Sequence, residues 1–420
     1  MRRCFGSWQN LGPTVVDWRC AVKLSDRGNA MPASPIRRLT PLADAAKAKG
    51  IKVFHLNIGQ PDITTPPEML EAVKAFSDPV LSYGPSAGLN ETREAMAKYL
   101  RGIGVDVSAN HVLVTQGGSE AILFAMAAIC DPGDEIIVFE PFYTNYSGFA
   151  CMLGVHLRAV QTKVEDGYHL PPVAQIEAKI TPKTKAILWS SPGNPTGAVF
   201  TRQEVTALVE LAKKHGLYAI SDEAYREFCY DGHVATCVLD VAAELGCSDR
   251  AILIDSISKR FSACGARIGF LVTKNEELLA AILRFGQARL CPPTLEQYAA
   301  TVGYSVIDKY VPPTIDEYRR RRDRVMEGLA KIPGATCAVP EGAFYVQPRL
   351  PVGDADAFAQ WLLTDFQKDG KTVMVAPGNG FYATEGAGAE EVRIAYVLKE
   401  EDLQIAMDLL VEAIKQWNQR

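Results

Sequence analysis

Asp255 to Phe270 reads DSISKRFSACGARIGF, a loop of small and hydroxyl residues between two apolar runs, AILID before it and IGFLV after it. Both runs read as buried strands, so Lys259 falls in a loop that leaves the carboxyl end of a strand, where open α/β sheets gather their chemistry. Most of the 44 lysines and arginines of the chain are expected to be solvated surface groups, and that is the competing reading of Lys259. Its placement favours another. A lysine amine becomes a nucleophile toward carbonyl groups when a neighbouring cation, here Arg267, and partial desolvation lower its pKa. The stretch points to a lysine that forms a Schiff base.

The rest of the chain bounds what such a lysine serves. With 420 residues there is length for two or three domain-sized units, and 48% hydrophobic with 22% charged residues is the balance of a globular enzyme. A net charge of −5 with no basic domain argues against nucleic-acid binding. Arg319 to Arg322, flanked by Tyr318 and Asp323, is the one basic run, and its helical context reads as a solvated face. Ten cysteines without CxxC pairs and six dispersed histidines signal neither a metal site nor a disulfide framework, which fits a reducing cytoplasm. No apolar run has the length of a membrane span. In the first thirty residues, Arg2, Arg3 and Arg19 with few acids resemble a targeting segment, whereas Trp8, Trp18, Cys4 and Cys20 do not; a native start at Met31 is the equal alternative.

Strand and helix signals then alternate. FHLNIGQPD ends an apolar run in Gly59, a tight turn where backbone can approach a ligand. Tyr83 lies in a Gly/Pro/Ser loop ahead of a helix. In HVLVTQGGSEAILF a β-branched strand ends at Thr115, and Gly117, Gly118 and Ser119 open an apolar helix. The unpaired N–H groups and positive dipole end of such a start suit an anion such as phosphate, although a simple capped turn reads equally well in isolation. IIVFE runs into Pro141, Phe142 and Tyr143; VHLRAV and AILWS follow as strands; RQEVTALVELAKKHG is an amphipathic helix stopped by Gly216. The alternation predicts a mostly parallel, doubly wound sheet covered on both faces.

Two strand ends carry further chemistry. AILWS leads into SPGNPTG, whose prolines and glycines make a rigid loop around Asn194; LYAIS leads into Asp222, Glu223, Ala224 and Tyr225. An aspartate at the end of a buried strand needs a partner, either a protonated ring nitrogen of a ligand or a structural arginine.

Taken together, SPGNPTG, SDEAY, SxSK followed by GxRIG, and the terminal VRIAY resemble the class I/II aminotransferases of fold type I, which use pyridoxal 5′-phosphate (PLP), and within them the aspartate and aromatic aminotransferases. The motifs run in family order from about Ile36 to the C-terminus. The resemblance implies an α/β fold with a large domain on a mostly parallel doubly wound sheet and a smaller α+β domain. In residue ranges it implies an extension (1–30), an arm with part of the small domain (31–62), the PLP-binding domain (63–305) and the remaining small domain (306–420). It implies that Lys259 carries the cofactor and shuttles the substrate proton, that Asp222 keeps the ring nitrogen protonated, that Tyr225 and Asn194 bond the ring oxygen, and that Tyr143 stacks on the ring. The phosphate falls to Gly118, Ser119, Ser256, Ser258 and Arg267, with Tyr83 reaching across from the partner of a homodimer that shares its sites. Arg393 becomes the ligand of the substrate α-carboxylate, assisted by the Gly59 backbone.

For the substrate, the resemblance implies an amino acid and a 2-oxo acid such as 2-oxoglutarate. One branch of the family places a lysine directly after the Gly-Gly of the phosphate loop to hold an acidic side chain, and this chain has Ser119 there. Arg289, before the turn CPPT, is the alternative distal cation, offered from the neighbouring subunit; with it aspartate is the expected donor, and without it an aromatic or broader donor. A PLP-dependent lyase or synthase uses the same cofactor residues. A noncatalytic PLP-binding regulator needs a DNA-binding module, for which the N-terminal extension is too short.

Overall fold

The computed structural model describes residues 23–420, so Arg2, Arg3, Cys4, Trp8, Trp18, Arg19 and Cys20 lie outside the described residues. The predicted alternation produces a seven-stranded sheet of β1 (Val112–Thr115), β2 (Glu135–Glu140), β3 (His156–Gln161), β4 (Thr184–Ser190), β5 (Tyr218–Asp222), β6 (Ala251–Ser256) and β7 (Gly269–Val272). Their spatial order is β1-β7-β6-β5-β4-β2-β3. Only β7 runs antiparallel to its neighbours, so the sheet is mostly parallel, as the sequence predicts.

Hydrophobic residues face both sides of this sheet. Ile137, Ile187, Ala219 and Leu253 pack under one helical layer, and Val138, Leu188, Ile220 and Ile254 under the other. Both layers are built from helices whose apolar stripe has the helical period. Arg202–His215 buries Val205, Leu208, Val209 and Ala212, and a capping box between Thr201 and Glu204 closes its start. Register then sets the site: Ser190 lies beside Asp222, and Asp222 beside Ile254, two residues before Ser256. The carboxyl ends of β4, β5 and β6 therefore deliver the SPGNPTG, DEAY and SISK loops to one place.

A second core joins Leu39 to Leu56 with residues 318–414. Here Lys52–His55 pairs in parallel with Lys371–Met374, and Val392–Ala395 pairs antiparallel with Ala376–Pro377 on one side and Tyr345–Val346 on the other. In the stretch EGAFYV only the two residues Tyr345–Val346 are strand. Val306 separates the helix Thr294–Ser305 from the 23-residue helix Ile307–Leu329 that enters this second core.

The basic run on that helix departs from expectation. Arg319 and Arg320 are exposed, but Arg321 and Arg322 are buried. Successive helical side chains point about 100° apart, so four consecutive ones spread over about 300° and do not share one solvated face. There Arg321 pairs with Asp62 at 2.6 Å and Glu317 at 2.8 Å, and Arg322 pairs with Asp231 and Asp323. Half of the run is a buried ionic lock, not a solvated face.

Candidate active site

Lys259 sits in the last turn of a single helical turn, Ile257–Arg260, and its Nζ donates to the Gly59 carbonyl at 2.9 Å and lies 3.6 Å from Cys264 Sγ. The neighbouring residue Arg260 is fully buried against Asp255 at 2.8 Å and Glu227 at 2.7 Å, an anchor that holds the lysine loop against the sheet. Across from it, the Asp222 carboxylate accepts from Tyr146 Oη at 2.9 Å and from the Ala224 amide at 3.3 Å. Burial raises its pKa from the usual range to about 6, against the Tyr146 hydrogen bond and the Lys259 charge, which lower it.

An anion cradle lies below. The helix Gly117–Ile129 begins without a side-chain cap, leaving its first N–H groups free for a ligand. Gly117 has φ +75°, and the Arg267 guanidinium fills the space where a Cβ would be; a larger residue would expel it. Arg267 itself is left-handed at φ 54°, a conformation tolerated where surroundings impose it. Its Nη1 donates to Cys264 O at 2.8 Å and lies 3.5 Å from Ser258 Oγ, while its Nη2 lies against Gly117 at the helix start. Ser256 Oγ is 2.9 Å from Ser258 Oγ and 3.1 Å from Ile268 O.

The opposite wall is polar and aromatic. Arg393 is buried, donates from Nη1 to Asn194 Oδ1 at 3.1 Å and from Nη2 to Asn57 O, and has no partner on Nε. Tyr345 lies 4.6 Å and Phe381 5.1 Å from its guanidinium carbon. Burial lowers the Arg393 pKa while the surrounding phenols oppose that shift. Tyr225 and Tyr345 share a hydrogen bond of 2.8 Å. Gly59 packs on the Tyr345 ring so closely that a Cβ would overlap it. The Tyr143 hydroxyl accepts from Asn145 Nδ2 at 2.7 Å, and burial pushes its pKa up to about 12, so it stays a neutral phenol.

A dianionic phosphate with a pyridine ring matches this donor set: free helix N–H groups, Ser258 and Arg267 for the phosphate, buried Asp222 for a protonated ring nitrogen, Asn194 and Tyr225 for a ring oxygen, and Lys259 close enough for its charge to act on Asp222. The sequence profile of the family described as Aminotransferase class I and II matches residues 51–410. The chain belongs to the class I and II aminotransferases. The aspartate/prephenate aminotransferase of Thermus thermophilus is 32% identical over 391 residues, 92% of this chain and 97% of that one. Aromatic-amino-acid aminotransferase 2 of Thermococcus litoralis is 32% identical over 399 residues, 94% and 98%. The solved structure of the Thermus thermophilus aspartate aminotransferase with maleate superposes with a TM-score of 0.84 at 31% identity, covering 93% of this chain and all of that one. As a class I and II aminotransferase of fold type I, this protein is a PLP-dependent transferase of amino groups.

Within one protomer the structure brings Lys259, Asp222, Tyr225, Asn194, Tyr143, Gly59, Arg393, Gly118, Ser119, Ser258 and Arg267 around this site. Tyr83 does not join them, being 80% exposed. Arg289 stands elsewhere, at the end of Glu276–Arg289, with Nε 3.3 Å from Glu120 and Nη2 donating to Val114 O at 3.2 Å. Sequence reasoning missed Tyr146, Tyr345 and Asn57. Tyr146 follows Tyr143 by three residues into a helix, a spacing that puts both on one side and was legible; the other two depend on contacts from the second core.

Among the described residues no helix is long and apolar enough to cross a membrane, and no group of three metal-ligating side chains is assembled.

Proposed function

We propose that this aminotransferase moves the amino group of an acidic amino acid, with aspartate the preferred donor, to a 2-oxo acid such as 2-oxoglutarate. The observation that carries the reading is Arg393, a buried guanidinium with an unpartnered Nε, held between the Tyr345 and Phe381 rings, with Tyr345 also packed on Gly59, whose carbonyl holds Lys259. Such a fork is matched to the α-carboxylate shared by amino acids and 2-oxo acids. The relatives named for aspartate support an acidic side chain.

When bound, PLP supplies a carbonyl for covalent capture of the amine and a protonated ring that withdraws electrons from the substrate α-carbon. Lys259 is the residue that attaches to it, and its freed amine then carries the proton at the α-carbon, acting as base and acid in turn. Asp222, kept anionic by Tyr146, holds the proton on the ring nitrogen. Asn194 and Tyr225 bond the ring oxygen, and Tyr143 covers the ring face. Gly118, Ser119, Ser256, Ser258 and Arg267 hold the phosphate. The Gly59 carbonyl, now on Lys259, orients its amine toward the substrate side.

The same reading has a homodimer acting in the cytoplasm. Its support is the exposed patch Leu70, Val80, Leu81 and Tyr83, which a partner subunit would cover while Tyr83 reaches that partner's phosphate, and eight described cysteines that are all thiols. The unit boundaries proposed for it are 31–62, 63–305 and 306–420.

One observation favours a second reading, an aromatic or broad donor: Ser119 is uncharged and the Arg289 guanidinium is already paired with Glu120, so neither is a free distal cation. Initial rates for aspartate, glutamate, alanine, phenylalanine and tyrosine against 2-oxoglutarate decide between them. Aspartate preferred at least tenfold supports the acidic reading, and an aromatic preference supports the second. Pyruvate formed from a β-substituted donor with no acceptor present would identify a lyase instead.

A further inference from the structure

Glu140 ends β2, one residue before the Pro141-Phe142-Tyr143 turn, and is completely buried. Among the described residues no lysine, arginine or histidine pairs with it. A buried carboxylate must be satisfied by hydrogen bonds, and every one that the Glu140 carboxylate has comes from two consecutive exposed residues of the loop that follows Phe381. The amides of Ala383 and Thr384 donate to Oε2 at 3.0 and 3.1 Å, and the Thr384 hydroxyl donates to Oε1. A parallel backbone bond ties Phe142 N to Phe381 O at 2.9 Å.

The loop so held, residues 378–384, is the one that carries Phe381 onto the Arg393 guanidinium. It continues directly from Ala376, the strand partner of Arg393. On the other side of the clasp, Glu140 is three residues from Tyr143. One carboxylate thus couples the aromatic platform of the large sheet to the aromatic cover of the substrate arginine.

We propose that Glu140 is a positioning residue: through Ala383 and Thr384 it holds Phe381 against Arg393 and so sets the affinity of the substrate-carboxylate site. This rests on the reading of Arg393 as the carboxylate ligand. Released from the clasp, the loop exposes the Arg393 side of the cavity to water, and the guanidinium loses the flat neighbour that orients it. The effect falls on binding of both substrates, since donor and acceptor share the α-carboxylate, and leaves the cofactor contacts at Asp222, Ser258 and Arg267 untouched.

The test uses the holoenzyme and two variants. Glu140→Gln keeps the side-chain volume but turns an NH2 toward the donors of the loop; Thr384→Val keeps the carboxylate and both amides and removes one hydroxyl. Hydrogen exchange at the Ala383 and Thr384 amides is expected to be about tenfold faster or more in Glu140→Gln. KM for both aspartate and 2-oxoglutarate is expected to rise about tenfold, with kcat and the visible absorbance of the bound cofactor within twofold of wild type. Thr384→Val gives a smaller KM rise in the same direction and decides the matter if Glu140→Gln does not fold. Unchanged exchange, or a fall in kcat at constant KM, overturns the proposal. Faster exchange with unchanged KM in a variant, where Arg393→Lys also leaves KM unchanged, locates the failure in the reading of Arg393.

Discussion

Replacing Tyr146 with phenylalanine removes one oxygen, and the structure says where the consequence must appear. The lost group is the hydroxyl that donates to Asp222 Oδ2 at 2.9 Å, with both residues buried. A hydrogen bond to a charged group is worth about 1.5–3 kcal/mol, and at 1.36 kcal/mol per unit that moves a pKa by about one to two units. Since the bond stabilises the anion, its loss moves Asp222 upward, from about 6 to between about 7 and 8. Below that value the carboxyl is neutral and no longer pairs with a protonated ring nitrogen. Titration of the apoenzyme with PLP from pH 5 to 9 should therefore show an acid limb in cofactor affinity near pH 6 for wild type and one to two units higher for the variant, about the size of shift a lost charged hydrogen bond produces. The affinities should converge at pH 9. Superimposed profiles, or a loss of affinity that is the same at every pH, would refute the coupling.

The same residue predicts the pH dependence of apoenzyme stability. Asp222 has a folded pKa above its ordinary 3.8, so its contribution is fully present below that value and is lost as pH rises through about 6. The loss amounts to about 3 kcal/mol. Thermal melts of the apoenzyme should record it between pH 4 and 7, and in Tyr146→Phe the decline should extend to higher pH.

Lys259→Ala should lose the visible absorbance of lysine-attached cofactor and nearly all turnover; an active yellow variant would sink the assignment. Arg393→Lys exchanges a fork for a point charge in a buried site and should lower kcat/KM for every amino donor by about 10²–10³, roughly 3–4 kcal/mol. KM for 2-oxoglutarate should rise in proportion, and an unaffected KM would mean that another residue holds the carboxylate. Arg289→Ala should lower the melting temperature through the unpaired Glu120, by about 1–2 kcal/mol in stability, and should change rates with aspartate and phenylalanine equally. Selective loss of the acidic donors would place Arg289 at the distal site.

By itself the sequence determined the elements and the chemistry that rides on them. Period-2 and period-3.6 patterning is a local property, so β4, β5 and β6 and the loops after them were legible. Residues whose roles depend on a loop at a strand end, such as Lys259, Asp222 and Asn194, came with them. Arg393 was legible as a motif, and so was the helix start at Gly117. What the chain order does not contain is which distant groups share a volume. The Tyr146 bond to Asp222 spans 76 residues and the clasp of Glu140 on Thr384 spans 244, and both form only when sheet register and the second core bring their elements together. The same holds where expectation failed. The run Arg319 to Arg322 reads in sequence as a solvated face, but Arg321 and Arg322 turn inward because their helix packs against Asp62 and Asp231. A charge finds its partner in three dimensions, since in a poorly solvated interior the nearest opposite charge outweighs any pattern along the chain; that choice belonged to the tertiary structure alone.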